Sequence, residues 1–232
     1  MIQYSVSQIE EEIERIANEM IYCNHQCSGE DIVCNLSTGQ IPRCLYFEHE
    51  NRNSNSPGIV VIGMNPGWSD VDEQDDYKKW LSQKALSYKN LLNRFESEGF
   101  GEVGKFYPPI RTILKHLQLD GPILWTEVAK CESQKRDEKT KVPLKRRTTS
   151  ICSRLYLSRE IQVIPEDWLF LAVGLDAYET VLPLSPRNPL IGCYHPNHRK
   201  KGQKLQTKIK NNPSLYVSKL SSMQSGDFCF WD

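Results

Sequence analysis

Apolar residues recur along this chain with two different rhythms. Near the start, Ile9, Ile13, Ile16 and Met20 return at helical spacing, and Ser7 with Glu10 fits a capping box, so residues 7–22 are predicted to form an amphipathic helix. Further on, short continuous apolar runs are bounded by Gly or Pro: GIVVIG (58–63), PILWTEV (122–128), WLFLAVG (168–174) and PLIGCY (189–194). Each has the length of a strand buried on both faces. Residues 77–98, 109–118, 150–162 and 175–182 read as helices. Strands alternating with helices imply βαβ units, a parallel sheet and right-handed crossovers. Ligands of such sheets sit beyond the C-terminal strand ends, which makes the residues after each run the ones to inspect. There is no internal repeat.

Residues 23–57 break this pattern. They hold four cysteines and close on the polar run NRNSNSPG, the signature of an irregular loop and a turn. The chain therefore divides into an N-terminal helix and cysteine-rich loop (1–57) packed on an α/β core (58–232), forming one compact domain. Composition agrees: 232 residues, 39% hydrophobic and 25% charged, can bury a core, and the dispersed 13 Gly and 13 Pro exclude collagen-like and disordered classes. No apolar run reaches the roughly 18 residues of a membrane span, and the acidic start does not resemble a secretory leader, so no membrane partner and a cytoplasmic location are expected. In a reducing compartment, eight cysteines (23, 27, 34, 44, 131, 152, 193 and 229) suggest a metal site or buried thiols. The 29 basic and 29 acidic residues cancel, but unevenly. Residues 135–147 and 199–210 carry +5 and +6, leaving −11 on the rest. Each basic stretch is either a phosphate-contacting surface or a solvated polar segment.

At the strand ends stand GMNPGWSD (63–70), ILWTEVAKCES (123–133) and YHPNHRKK (194–201). The first lacks the pattern of a dinucleotide or triphosphate loop. Together the ordered motifs resemble the uracil-DNA glycosylase superfamily. GMNPG is similar to that superfamily's first motif, and YHPNHR to its His-Pro motif. Lys130-Cys131 and the segment from Cys152 to Gly174 resemble its iron–sulfur branch, and LLNRF (91–95) resembles a helix after the first motif. The likeness spans about residues 27–200.

The resemblance implies a three-layer α/β/α fold with a central four-stranded parallel sheet, a monomer, and a DNA substrate whose target base is flipped into a pocket. Hydrolysis of an N-glycosidic bond passes through an oxocarbenium-like state, for which a positioned water matters more than a strong base. Asn65 would orient that water, and His195 would donate a hydrogen bond to the base O2. Gly63, Met64, Pro66, Gly67, Glu127 and Asn197 would border the substrate. His198, Arg199, Lys200 and Lys201 would meet DNA, with Arg199 or His198 as the wedge. Without the resemblance, Asn65 reads as support for a Pro-Gly turn and His195 as a half-buried histidine. A stacking aromatic is expected among Trp68, Tyr77, Trp80 and Tyr88.

One position departs from the family. Where its members usually carry an Asn that reads uracil, this chain has Glu127. A carboxylate only accepts and would oppose uracil O4, an unmatched contact worth about 1–3 kcal/mol. The cytosine N4 amino group donates and suits an acidic partner, although pairing at N3 needs a proton on Glu127 or on the base. A 5-substituted cytosine, such as the hydroxymethylated or glucosylated base of phage DNA, is thus the expected substrate, with a role in anti-phage defence. Uracil excision in repair, a non-catalytic module that senses modified DNA, and a Glu127 that faces away are the alternatives.

The resemblance also assigns a [4Fe–4S] cluster, with zinc as the alternative. Cys131 and Cys152 take the branch's ligand positions, Cys34 is a third ligand and Cys44 the fourth. Cys27 or Cys23 could replace Cys44. Cys193 and Cys229 are expected to pack as small apolar residues.

Overall fold

A computed structural model of the chain describes residues 4–23, 31–43, 45–97, 99, 106–137, 140–184, 187–198 and 200–232. The first helix, α1 (Val6–Met20), buries Ile9, Ile13, Ile16, Ala17 and Met20. Its capping box is formed by Ser5 and Gln8, two residues before the expected pair: Ser5 Oγ accepts from Gln8 N, and Ser5 N donates to Gln8 Oε1 at 2.9 Å. Either serine satisfies the motif on paper, and the helix starts at the earlier one.

The central sheet has six strands rather than four. The expected runs supply β3 (Ile59–Gly63), β4 (Ile123–Glu127), β6 (Leu169–Val173) and β7 (Leu190–Cys193). These lie side by side and parallel in the order β4-β3-β6-β7. Two edge strands extend them, β2 (Tyr46–Glu48) antiparallel to β4 and β8 (Phe228–Trp231) parallel to β7. A separate two-stranded antiparallel sheet joins β1 (Ile32–Val33) to β5 (Glu132–Ser133).

Alternate residues of the inner strands feed two different cores. Val60, Ile62, Leu124, Phe170 and Ala172 pack with α1 and with α7 (Leu175–Val181). Ile59, Val61, Ile123, Trp125, Leu171 and Ile191 pack with α4 (Tyr107–His116), α8 (Gly202–Asn211) and α9 (Pro213–Ser221). Helices thus cover both faces, which is why the inner strands are apolar throughout. The helix expected over 77–98 is two, α2 (Val71–Ser82) and α3 (Tyr88–Ser97), separated where Lys84 takes a left-handed conformation. Residues 146–162 run as α5 (Arg146–Cys152), a π-helical turn (Ser153–Leu157) and α6 (Ser158–Gln162). Among the described residues no helix is long and apolar enough to cross a membrane.

Because β3, β4, β6 and β7 are parallel and in register, their C-terminal ends share one rim of the sheet. Gly63, Glu127, Val173 and Cys193 end these strands, and the motif residues follow them.

Candidate active site

The loop after β3 is held by a buried polar network. Arg43, 4% exposed, donates to Gly67 O at 2.7 Å and pairs with Glu73 at 3.0 Å. Glu132 accepts from Ser69 N at 2.7 Å and from Gln40 Nε2 at 2.9 Å. Met64 O accepts from Ala129 N at 2.9 Å, and Pro66 is buried. Within this frame the Asn65 Nδ2 group donates to Ser133 Oγ at 3.0 Å and to Pro66 O at 3.2 Å. A carbonyl only accepts, so the amide nitrogen must face Pro66 and the carboxamide oxygen must point the other way.

Gly63 and Glu127 are register partners on adjacent strands. A Cβ at position 63 would sit 2.1 Å from Glu127 Oε2, so only glycine leaves room for this carboxyl group. Glu127 therefore does not face away from the first motif. It is buried, and its Oε2 has no hydrogen-bond partner among the described residues. Burial raises its pKa to about 8, partly offset by the charges of Lys130 and Lys141. Near neutrality the group is a carboxylic acid, one donor and one acceptor, the protonated form that pairing with cytosine N3 requires.

Next to it, Lys130 is fully buried beneath the β4 end, where its Nζ meets Glu160 Oε2 at 2.9 Å and Thr126 Oγ1 at 2.5 Å. Thr126 in turn donates to Glu160 Oε2 at 2.6 Å.

His195 lies two residues beyond β7. Its Nδ1 accepts from Asn197 N at 3.1 Å, which leaves Nε2 to carry the proton in the neutral ring. Burial lowers its pKa, and Lys141 lowers it further, so the neutral form prevails at pH 7. The ring sits 5.3 Å from that of Phe106, the residue before α4. The loop after His195 is tight. His198 N donates to His195 O at 2.8 Å, and a Cβ at Gly202 would come within 2.1 Å of the same carbonyl.

Lys141 is the shared neighbour, acting electrostatically on both Glu127 and His195. Lys141, Asn65, Met64 and Ser133 also line a cavity of about 800 Å³ that runs between the 141–154 segment and α7. For the 135–147 segment, read from sequence as either a phosphate-contacting or a solvated stretch, the influence of Lys141 on Glu127 and His195 was not foreseen. Phe106 and Ser133 were missed as well. Nothing in the local sequence marks either, since both reach the site through contacts across 89 and 68 positions.

The aromatic candidates separate. Tyr77 and Tyr88 are core residues whose hydroxyls bond Glu73 and Phe47 N, and Trp80 packs partly on the same core. Trp68 stands at the rim, donates to Ser133 O at 2.9 Å and has Lys135 and Lys141 over its ring. Among the expected DNA contacts, His198, Asn197 and Lys200 are exposed. Lys201 is folded back, bonding Tyr194 OH at 2.7 Å with its ammonium over the ring. Arg199 lies outside the described residues.

Four thiols converge behind the loop. The β1–β5 register pairs Val33 with Glu132, which sets the next residues, Cys34 and Cys131, against each other, and the two hydrogen-bond. Cys34 Sγ also contacts Cys23 O at 3.4 Å, and Lys130 N donates to Cys152 Sγ at 3.2 Å. Cys131 is held well above the usual thiol range by its hydrogen bond to Cys34, then by burial and by Cys152 and Cys23. Thus Cys34 and Cys131 are paired, Cys152 and Cys23 are close enough to act on Cys131, and among the described residues no three of these side chains close into a metal-binding group. Cys44 and Cys27 lie outside the described residues. Cys193 is buried in the second core, and Cys229 is half-buried against it. No protein-family profile matches this chain, and no curated protein sequence does either.

Proposed function

We propose that this protein is a DNA glycosylase on a three-layer α/β/α core, acting on a base flipped out of DNA, with a modified cytosine as its preferred target. The observation that carries the reading is the buried Glu127 carboxyl group, partnerless at one oxygen, on the rim that also bears Asn65 and a neutral His195. In this reading Asn65 Oδ1 orients the attacking water and steadies the sugar cation. His195 Nε2–H donates to the base O2 as negative charge develops there. The protonated Glu127 donates to cytosine N3 and accepts from the N4 amino group. Passing its proton to N3 makes the base a better leaving group. Phe106, beside His195, would offer the base an aromatic surface.

A neutral acid can also donate to uracil O4 and accept from N3–H, so uracil is the second reading. The two separate on ionisation: an ionised Glu127 opposes uracil O4 but still accepts from the cytosine amino group. The test is base release from oligonucleotides carrying uracil, 5-hydroxymethylcytosine or its glucosylated form, by wild type and by Glu127→Asn. Wild-type release of the modified cytosines, lost in Glu127→Asn, is expected. Release of uracil alone would overturn the cytosine reading, and no release from any substrate would overturn the enzyme.

Cys23, Cys34, Cys131 and Cys152, two half-buried and two buried, fit an iron–sulfur cluster in kind and number, with Cys23 in the place expected for Cys44. When bound, such a cluster would supply a cross-link between the segments next to α1, β1 and β5 and the end of α5. Metal analysis and visible absorption of anaerobically purified protein distinguish it from zinc, which would leave the protein colourless.

A further inference from the structure

The loop after β3 and the cysteine-flanked β1–β5 ladder are one mechanical unit. Residues 64–69 are tied to residues 129–133 by four hydrogen bonds besides the Asn65 contact: Ala129 N to Met64 O at 2.9 Å, Trp68 Nε1 to Ser133 O at 2.9 Å, and Ser69 N and Oγ to Glu132. Ser133, 3% exposed, lies at the end of this seam. Its backbone pairs with Ile32, so it is two residues from each of the facing thiols, on β5 from Cys131 and across the ladder from Cys34. Its side chain accepts from Asn65 Nδ2.

We infer that Ser133 is the positioning residue for Asn65, and that the cysteine-flanked β1–β5 ladder sets the orientation of the catalytic amide through it. This rests on the role proposed above for Asn65. A carboxamide has unlike ends, and only its oxygen can accept from a water about to attack. Free to rotate about its last bond, Asn65 would present its NH2 group for part of the time. Two acceptors, Ser133 Oγ and Pro66 O, hold that group on the far side. Pro66 O is local to the loop, whereas Ser133 Oγ comes from the β1–β5 ladder. The site's geometry therefore depends on where that ladder sits, and whatever joins Cys34 to Cys131 keeps it there.

The discriminating experiment exploits the symmetry of a carboxylate. Ser133→Ala is expected to lower kcat about tenfold with KM nearly unchanged, the effect of one lost positioning hydrogen bond. In an Asn65→Asp background both oxygens accept, orientation no longer matters, and Ser133→Ala should change kcat less than about twofold. Ser133→Thr, which keeps the hydroxyl, should restore most of the loss. Equal losses in the two backgrounds, or no loss in either, would overturn the inference. A readout independent of turnover separates its failure from that of the glycosylase reading. Hydrogen exchange of the Asn65 side-chain amide, followed by NMR, should accelerate in Ser133→Ala and in Cys34→Ser even if no substrate is ever cleaved. Unchanged exchange in Ser133→Ala would overturn the positioning role, and unchanged exchange in Cys34→Ser would overturn the link to the β1–β5 ladder.

Discussion

A carboxyl group that holds its proton up to about pH 8 stores a dependence of stability on pH. The folded state keeps the Glu127 proton across a window from the ordinary carboxyl range up to about 8, while the unfolded chain releases it. Folded Glu127 thus binds more protons there, and its contribution to stability is lost as pH rises, by at most ~1.4 kcal/mol per pH unit. Glu127→Gln should therefore melt close to wild type near pH 4 and progressively above it towards pH 8, as differential scanning calorimetry would register. The same proton governs the proposed chemistry, so base release should decline as pH passes about 8, and a profile still rising at pH 9 would argue against a protonated Glu127. His195→Ala should lower kcat by roughly a hundredfold or more, the usual consequence of removing a donor to developing charge. At this scale the positions of Asn65, Glu127 and His195 were legible because each ends or follows an apolar run. The need for a proton at Glu127 was legible too, but how firmly it is held was not: burial raises the carboxyl pKa while Lys130 and Lys141 lower it, and neither burial nor a lysine 14 positions away is written into a local motif.

Among the elements, the inner strands were readable because a strand covered on both faces must be apolar at every position. The edges were not: Tyr46–Glu48 is short and half-buried, and Phe228–Trp231 opens with an exposed residue, so neither carries a clear period. The cysteine-flanked ladder was legible only in part. Cys131 and Cys152 were marked by their surroundings, whereas the approach of Cys23 depends on where α1 ends after Met20, a matter of tertiary packing. The turn from β4 towards Cys131 rests on the buried pair of Lys130 and Glu160, at 2.7 Å. Lys130→Met would leave Glu160 as an uncompensated buried acid, and chemical denaturation should show a loss of about 3–5 kcal/mol. The double replacement of Lys130 by Met and Glu160 by Leu should recover much of it.

For the molecule as a whole, zero net charge conceals polarity. On α8, Leu205 and Ile209 are buried in the second core while Lys204 and Lys210 are exposed. Lys135, Arg136, Lys145, Arg146 and Arg147 are likewise exposed on the segment beside the cavity lined by Asn65 and Ser133. If these residues meet phosphates, the affinity for DNA should fall with salt, and each basic residue removed should flatten the log–log slope by about 0.9. Fluorescence anisotropy across a salt series, with Lys135 and Arg136 replaced by Gln, measures this directly, and an unaltered slope would assign them to a solvated face. The sheet's two borders also differ. At one, β2 is three residues long and its Glu48 is engaged by Arg111. At the other, β8 presents Phe228, 62% exposed, beside a half-buried Cys229 and with no further strand beyond it among the described residues. An apolar, uncharged strand edge is a template on which another chain can extend the sheet. The keeping quality of concentrated protein will therefore be decided here, far from the chemistry. Light scattering during storage should fall when Phe228→Lys places a charge on that border.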